Sequence, residues 1–454
     1  MSYTDETWPV DDAVDQGRFR VHARIYSDPK ILDQEMAWIF ERTWGFLGVA
    51  SQVAKPHDFL TTRLGRTNVL VTRGADGLLR GFVNACRHKG ALLTRLESGR
   101  RRTHSCPYHG WAFDSSGKNV LVKDVECGAY GAAFHQESHD LVPLARFEEY
   151  KGLLFGSLNP DVPPLAEFLG EARPLLDLAL EQGPNGMEVV PGRSVYTYRG
   201  NWKLQMDNGM DFYHLTSTHS AFMDLVQRRD GSRQGNTDAR QFDWRQRLTQ
   251  VGGAFGFRYG HAAIWLEQPQ PEKRPLWPVI DELRSRVGET RARWMLKLRN
   301  MTIFPNLQIA DSTSLILRTF RPIRPDLTEM RAYCLAPIGE APEQRAWRLR
   351  QFEDFFNPSG LATSDDTVVY EDCQRGASPH LGWLQGFSRG MASMSEAPNA
   401  EAEELGMKPA ACVKGPFKLQ NEVVYHPAYR EWLRLMRAGE ANLPAYQIAS
   451  EATC

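Results

Sequence analysis

The sequence predicts an α+β protein in two parts, a small all-β domain followed by a larger domain of antiparallel sheet and helices. Three observations carry that expectation. Residues from about 45 to 157 break into short β-rich runs punctuated by glycine turns. The run NPDVPP, Asn159 to Pro164, then interrupts the pattern with turn residues and proline. Beyond it, helical periods mix with strands such as SVYTYRG and TSLILRTFRPI.

In chain order, TNVLVTR and LLRGFVNA flank Gly74-Ala75-Asp76-Gly77, a hairpin signal. WAFDSSGKNVLV repeats the pattern with a turn at Ser115-Ser116-Gly117. LAEFLGEARPLLDLALEQG has a helical period that Pro174 is expected to break or restart. A helical segment rich in metal-binding side chains begins near Trp202. EQRAWRLRQFEDFFNPSG reads as an amphipathic helix stopped by Pro358 and Gly360.

At 454 residues the chain exceeds one ordinary core and suggests two or three domains. Hydrophobic residues at 42% and charged residues at 24% are those of a globular protein. A net charge of −1 gives no global signal for nucleic acid or a membrane surface. The start, MSYTDETWPVDDAVDQGRFR, lacks the basic and apolar regions of a signal peptide, and no apolar run reaches the ~18 residues that span a bilayer. A cytoplasmic location is therefore expected. The seven cysteines are scattered, and only Cys86 and Cys106 lie at ligand spacing from histidines. The other five read as buried or surface thiols.

The stretch CRHKGALLTRLESGRRRTHSCPYH pairs Cys86 with His88 and Cys106 with His109, with 17 residues from Lys89 to Ser105 between the pairs. A zinc finger would normally place two cysteines before two histidines. A [2Fe–2S] centre in which two histidines replace two cysteines needs two thiolates at one iron and two imidazoles at the other. Two facing loops, each giving one of each, meet that need, and Gly90 and Gly110 would let backbone amides approach the sulfides. On the residues alone, zinc or coincidence stays open.

A second constellation lies in NWKLQMDNGMDFYHLTSTHS, residues 201–220: Asp211, His214 and His219. Two imidazoles and a carboxylate on one face of a metal, with the opposite positions open, form the site of a non-haem Fe(II) oxygenase. Five residues along a straight helix turn about 500°, so His214 and His219 would point ~140° apart. They can share a metal only across a break or a wider turn, for which LTSTH is the place.

The first stretch resembles the Rieske [2Fe–2S] ligand motif, C-x-H…C-x-x-H, with Lys89 where the family more often has Arg. Residues 201–220 resemble the NWK…N-x-x-D-x-Y-H-x4-H signature of Rieske ring-hydroxylating oxygenase α subunits, matching at Asn201, Trp202, Lys203, Asn208, Asp211, Tyr213, His214 and His219. The resemblance implies that Cys86, His88, Cys106 and His109 hold the cluster and that His214, His219 and Asp366 hold mononuclear Fe(II). Asp366 is carried over as the second of an acidic pair in NPSGLATSDDTVVYEDC, where Asp365, Glu371 and Asp372 lie close by. Asp365 reads equally well as an N-cap in a solvated turn before a helix. Asp211 matches the family's bridging aspartate, implied to bond His214 and His109 of the partner subunit in a trimeric ring, and Asn208 joins it as a catalytic candidate. The implied architecture is residues 1–40 packing on the catalytic domain, a Rieske domain at 41–160, and a helix-grip-like catalytic domain at 161–454.

No GxGxxG, four-cysteine ferredoxin motif or flavin signature is present, so NADH chemistry is assigned to a separate reductase. NWKLQMDNG, FFNPSGLATSDD and NEVVYHPAYREW are similar to the branch comprising benzoate, toluate, anthranilate and 2-halobenzoate 1,2-dioxygenases. That similarity implies a small β subunit in an α3β3 hexamer, a flavin/ferredoxin reductase, and cis-dihydroxylation of an aromatic carboxylate by O2 at the 1,2-positions. A carboxylate substrate asks for a cationic anchor, for which Arg258, Arg318 and Arg321 are candidates. Ring contacts are expected from 223–226, from 301–304 and from the stretch before Asp366. The alternatives are a Rieske ring monooxygenase of salicylate hydroxylase type, an electron-transfer-only Rieske protein, and a zinc-binding interaction protein.

Overall fold

The computed structural model describes residues 9–222, 251–268, 270–377, 380, 382, 385–416 and 421–442. The described residues divide into two compact units: Met36–Leu165 is one, and residues 9–35 together with those between 166 and 442 form the other. Among the described residues no helix is long and apolar enough to cross a membrane.

The smaller unit is all-β in its sheets. Leu79–Val83, Thr67–Arg73, Asp58–Leu64 and Ser98–Arg100 form a four-stranded antiparallel sheet, and Arg146–Tyr150, Leu153–Ser157 and Gly45–Val49 a three-stranded one. Strand Thr67–Arg73 shows why this sheet is buried on both faces. Leu70 points into one core with Phe59, Phe82, Trp111 and Phe113, whereas Val69 and Val71 point into another with Leu47, Leu60 and Leu64. The side-chain period of two sends alternate residues to opposite faces, so a continuous apolar run serves two cores. Cys86 and Cys106 belong to the first core. Thr103–Ser105, Ala112–Asp114 and Asn119–Leu121 make a small third sheet, and the segment carrying Cys106 joins its first two strands.

The larger unit is built on a ten-stranded antiparallel sheet. Its central strands, Leu298–Ile303 and Leu307–Asp311, are buried throughout. The adjoining strands are Leu315–Arg324 and Leu327–Pro337 on one side and Ala262–Leu266 and Val251–Gly256 on the other. Helix Trp202–Asn208 is fixed by the words around it. Asn201 caps it by accepting from Lys203 N at 3.1 Å, and its amide reaches Tyr26 O and Pro325 O at 3.2 and 2.9 Å. Buried Glu35 accepts from Trp202 Nε1 at 2.7 Å, Lys203 Nζ at 2.5 Å and Trp432 Nε1 at 2.7 Å. The NWK triplet is thus an anchor: it ties this helix to the N-terminal segment and to the C-terminal helix His426–Glu440.

Pro174 restarts a helix as expected, sitting in the first turn of Arg173–Leu180 after the 3-10 turn Gly170–Ala172. A proline is tolerated there because its missing N–H has no partner to lose, while Gly170 at φ +46° ends the preceding helix. Helix Pro342–Gln351 continues as a π turn, Phe352–Phe356, before it stops. That wider turn sends Phe352, Phe355 and Phe356 into a core with Phe222, Ile316 and Ala332.

Candidate functional site

In the smaller unit, Cys86–Gly90 and Cys106–Gly110 are the same turn used twice. Gly90 N and Gly110 N bond back to Cys86 O and Cys106 O at 2.9 and 3.1 Å, and each cysteine N–H bonds forward to the residue after its glycine at 2.8 and 2.7 Å. The glycines take φ of +73° and +72°, a region that a Cβ disfavours. Asn84 holds the first loop, donating to Thr94 O at 2.9 Å and accepting from Leu93 N at 3.2 Å. The thiols of Cys86 and Cys106 are 3% and 4% exposed, while the rings of His88 and His109 lie half-buried with centroids 4.5 Å apart. Trp111 stacks on His88 at 4.9 Å.

The donor set fits a binuclear cluster. Nδ1 of His88 and Nδ1 of His109 are buried with no hydrogen-bond partner, beside two buried thiols, and native interiors rarely leave such nitrogens unsatisfied. Among the described residues, three metal-binding atoms all within 4.8 Å of one another occur only at His214, His219 and Asp366. A lone zinc would draw its four ligands closer than this quartet stands, so the loops match two irons rather than one ion.

In the larger unit, Asn208 ends helix Trp202–Asn208, and Gly209 follows so tightly that a Cβ would lie 2.2 Å from Gln308 Nε2. Gln308 uses that nitrogen to bond Gln205 O and Met206 O, both at 3.2 Å, closing the helix end. Asp211 then accepts from Tyr213 N at 2.5 Å, and a single helical turn, Leu215–Thr218, follows. The helical backbone is interrupted at His219 and resumes at Ser220. This is the break that the 140° problem demands: His214 and His219 flank the turn, and their Nε2 atoms converge to 3.2 Å.

Asp366 Oδ1 completes a triangle at 3.4 Å from His214 Nε2 and 3.2 Å from His219 Nε2. Those edges suit three ligands on one face of an ion with bonds of about 2.1 Å. Asp366 lies inside the first turn of helix Thr363–Gly376, so Asp365 is not the cap ahead of it; Ala362 holds that position. Because successive residues of a helix point ~100° apart, Asp365 faces differently and reaches His219 Nδ1 at 3.4 Å. Asp211 Oδ2 stands 3.1 Å from His214 Nδ1, an ion-pair distance off the line of a hydrogen bond. Each imidazole therefore has its own carboxylate behind it, the arrangement that orients metal-binding histidines. Sequence reading missed this role for Asp365; its signal was its place as the first acid of the pair, directly before Asp366. Glu371 and Asp372 go elsewhere, to Arg199 N and Arg375.

Burial opposes charge on His214, but the carboxylates of Asp211 and Asp366 beside it outweigh that and raise its pKa to about 10; burial raises Asp366, and the two histidines overturn that and hold it well below the usual carboxylate range. The site is built for positive charge between these groups. Asn208 Nδ2 donates to Asp366 Oδ1 at 3.1 Å and lies 3.3 Å from His214 Nε2.

A cavity of about 490 Å³, measured to its open mouth, lies over the triangle. Phe212, Leu215, Leu266, Leu298, Phe355 and Phe356 give it apolar walls, with Asn300, Ser312 and Arg318 as polar ones. From the stretch expected at 301–304 it takes no residue; Leu298 and Asn300, earlier on that strand, line it instead. Residues 223–226 and Cys454 lie outside the described residues. Of the other thiols, Cys334 and Cys412 are buried and Cys127 and Cys373 exposed. Of the candidate anchors, Arg321 pairs with Glu329 at 2.9 Å and Arg258 is exposed beside Tyr259, which leaves Arg318.

Two thiols and two imidazoles poised for a [2Fe–2S] cluster, with a separate two-histidine, one-carboxylate face, define a two-centre non-haem iron oxygenase. The family comparisons agree. Residues 43–140 match the Rieske [2Fe-2S] domain, and residues 188–437 match the ring hydroxylating alpha subunit (catalytic domain). The chain is 42% identical to the toluate 1,2-dioxygenase subunit alpha of Pseudomonas putida, over 90% of this chain and 89% of that one. It is 38% identical to the 2-halobenzoate 1,2-dioxygenase large subunit of Burkholderia cepacia, over 93% and 90%. Its fold matches the crystal structure of naphthalene 1,2-dioxygenase from Rhodococcus sp. bound to indole, with a TM-score of 0.80, 24% identity, and coverage of 92% of this chain and 94% of that one. The chain belongs to the α subunits of the Rieske ring-hydroxylating oxygenases, enzymes whose cofactors are the Rieske cluster and mononuclear non-haem iron.

Proposed function

We propose that this chain is the terminal oxygenase subunit that converts a benzoate-type substrate, O2, two protons and two electrons from NADH into a 1,2-cis-diol of the ring. The observation that carries the proposal is the cavity over His214, His219 and Asp366, which combines apolar walls with one buried arginine. The likeness to toluate and 2-halobenzoate dioxygenases supports the carboxylate substrate. In this reading Cys86, His88, Cys106 and His109 hold the cluster, and His214, His219 and Asp366 hold the iron. Bound iron supplies the site at which O2 is activated by electrons relayed from the cluster.

The chain's own residues do the rest. Asp211 and Asp365 fix the two imidazoles, so that their Nε2 lone pairs face the metal position. Asn208 holds Asp366 Oδ1 by a hydrogen bond. Phe355, Phe356 and Leu298 exclude water from the ring and present it edge-on to the triangle. Asp211 also couples the centres, bonding His109 of the partner subunit in a trimer. A small β subunit completes an α3β3 hexamer, and a flavin/ferredoxin reductase supplies electrons. That NADH-linked donor places the working complex in the cytoplasm.

Product analysis with ¹⁸O₂ tests the proposal. The chain, with β subunit and reductase, is supplied with NADH and a panel of benzoate, 2-halobenzoates, anthranilate and salicylate. Two labelled oxygens are expected in one diol, or in the catechol left after loss of carboxylate and substituent. One labelled oxygen in a phenol would replace the proposal with a hydroxylase.

A further inference from the structure

Arg318 is 4% exposed and lines the cavity, yet it forms no ion pair or hydrogen bond among the described residues, and its Nε is buried without a partner. Its guanidinium packs on the ring of Phe356, with the guanidinium carbon 5.3 Å from the ring centroid. A face contact of that kind offsets only part of the cost of burying a cation. Every other deeply buried arginine named here has its acid: Arg274 and Arg299 share Asp311, and Arg348 holds Glu340 at 2.7 Å.

The sheet register aims it. Arg318 lies directly opposite Gln308 on the neighbouring strand, and paired residues project from the same face. Gln308 bonds the end of the helix that delivers Asn208, so Arg318 projects toward the metal side of the sheet. Phe356 contacts the guanidinium, Phe355 lies 4.7 Å from Phe356, and the ring of His219 lies 5.9 Å from Phe355. A cation is thus separated from an iron-binding histidine by two phenyl rings. Among the described residues lining the cavity, no other lysine or arginine occurs, and the remaining charges are those of Asp211, Asp366 and the histidines.

We propose that Arg318 is the substrate's carboxylate anchor and so determines specificity for acids over neutral arenes. Its fork receives the carboxylate in charge-assisted hydrogen bonds, the ring lies along Phe356 and Phe355, and the edge next to the carboxylate faces His214, His219 and Asp366. The inference rests on the proposed action on aromatic carboxylates and adds the residue that selects them.

The test compares benzoate with benzamide, alike in shape but differing in charge, in the complete oxygenase with its β subunit and reductase. The wild-type enzyme is expected to prefer benzoate in kcat/KM, and Arg318→Gln to reduce that preference by about 30-fold or more, chiefly through KM for benzoate. Arg318→Lys, which keeps the charge and loses the fork, is expected to fall between the two. An arginine that only props the fold would lower both substrates together and leave the ratio unchanged, which overturns the assignment. If Arg318→Gln fails to load its cluster, the Arg318→Lys ratio decides in the same way. A wild-type enzyme that oxidises benzamide and no carboxylate removes the underlying substrate reading, an outcome distinct from an unchanged ratio in the variants.

Discussion

The two proposed metal sites present histidine in opposite ways. In the cluster loops, His88 and His109 turn a buried, unpartnered Nδ1 inward, and their rings lie near the surface over deeply buried thiols. At the triangle, Nε2 faces the centre, and each Nδ1 is backed by a carboxylate, Asp211 or Asp365. A cluster that only passes electrons needs thiolates shielded from water and an imidazole edge at the surface. A centre that must leave positions open holds fewer ligands, so each needs outside support to keep its orientation.

The largest effects should show that the two sites load separately. Asp366→Ala removes one corner of the triangle, and activity is expected to fall by about 10³-fold or more. Its visible absorbance and the EPR signal of the reduced cluster should be retained while the mononuclear iron is lost. Cys86→Ser should do the reverse, bleaching the chromophore while mononuclear iron still binds. Loss of both centres in either variant would mean that the sites are not independent.

Smaller effects probe the carboxylates behind the imidazoles. Asp211→Asn and Asp365→Asn should each weaken mononuclear iron binding by about 10- to 100-fold and leave the cluster spectrum alone. Asp365 is the weaker case, because its side chain is 34% exposed and its contact is 3.4 Å long. Iron titration of the apo-protein, followed by turnover, measures both. An Asp365→Asn variant that binds iron as the parent does would leave His219 oriented by packing alone.

The mildest prediction concerns acid. Burial pushes His261 and His426, both in the larger unit and away from the metal triangle, down to about 4. Their unfolded pKa is near 6.5, so below that value the unfolded chain binds protons that the folded chain refuses. Stability is therefore full above pH ~6.5 and declines down to about 4, by up to about 1.4 kcal/mol per pH unit for each histidine. Denaturant midpoints of the larger unit, followed by tryptophan fluorescence between those limits, should fall with pH. His261→Gln, which keeps a neutral side chain, should flatten the slope, and an unchanged slope would assign acid loss to other groups.

How far each site was legible follows from its span in the chain. The four residues proposed to hold the cluster lie within 24 residues, and a turn repeated at Cys86–Gly90 and Cys106–Gly110 makes their spacing a property of local backbone. Spacing also exposed the problem between His214 and His219 and located its remedy in the segment between them. Two features had no local signature. Asp366 joins His214 across 152 positions only because the helix beginning at Thr363 packs beside the one ending at Asn208. Arg318 stood level with Arg258 and Arg321 until pairing with Gln308 turned it inward. Residue types and short spacings thus determined the chemistry, because ligand identity and tight turns are local. Tertiary packing alone decided which carboxylate met which imidazole and which arginine lost its water, because a strand's register and a helix's rotation set the face on which each side chain ends.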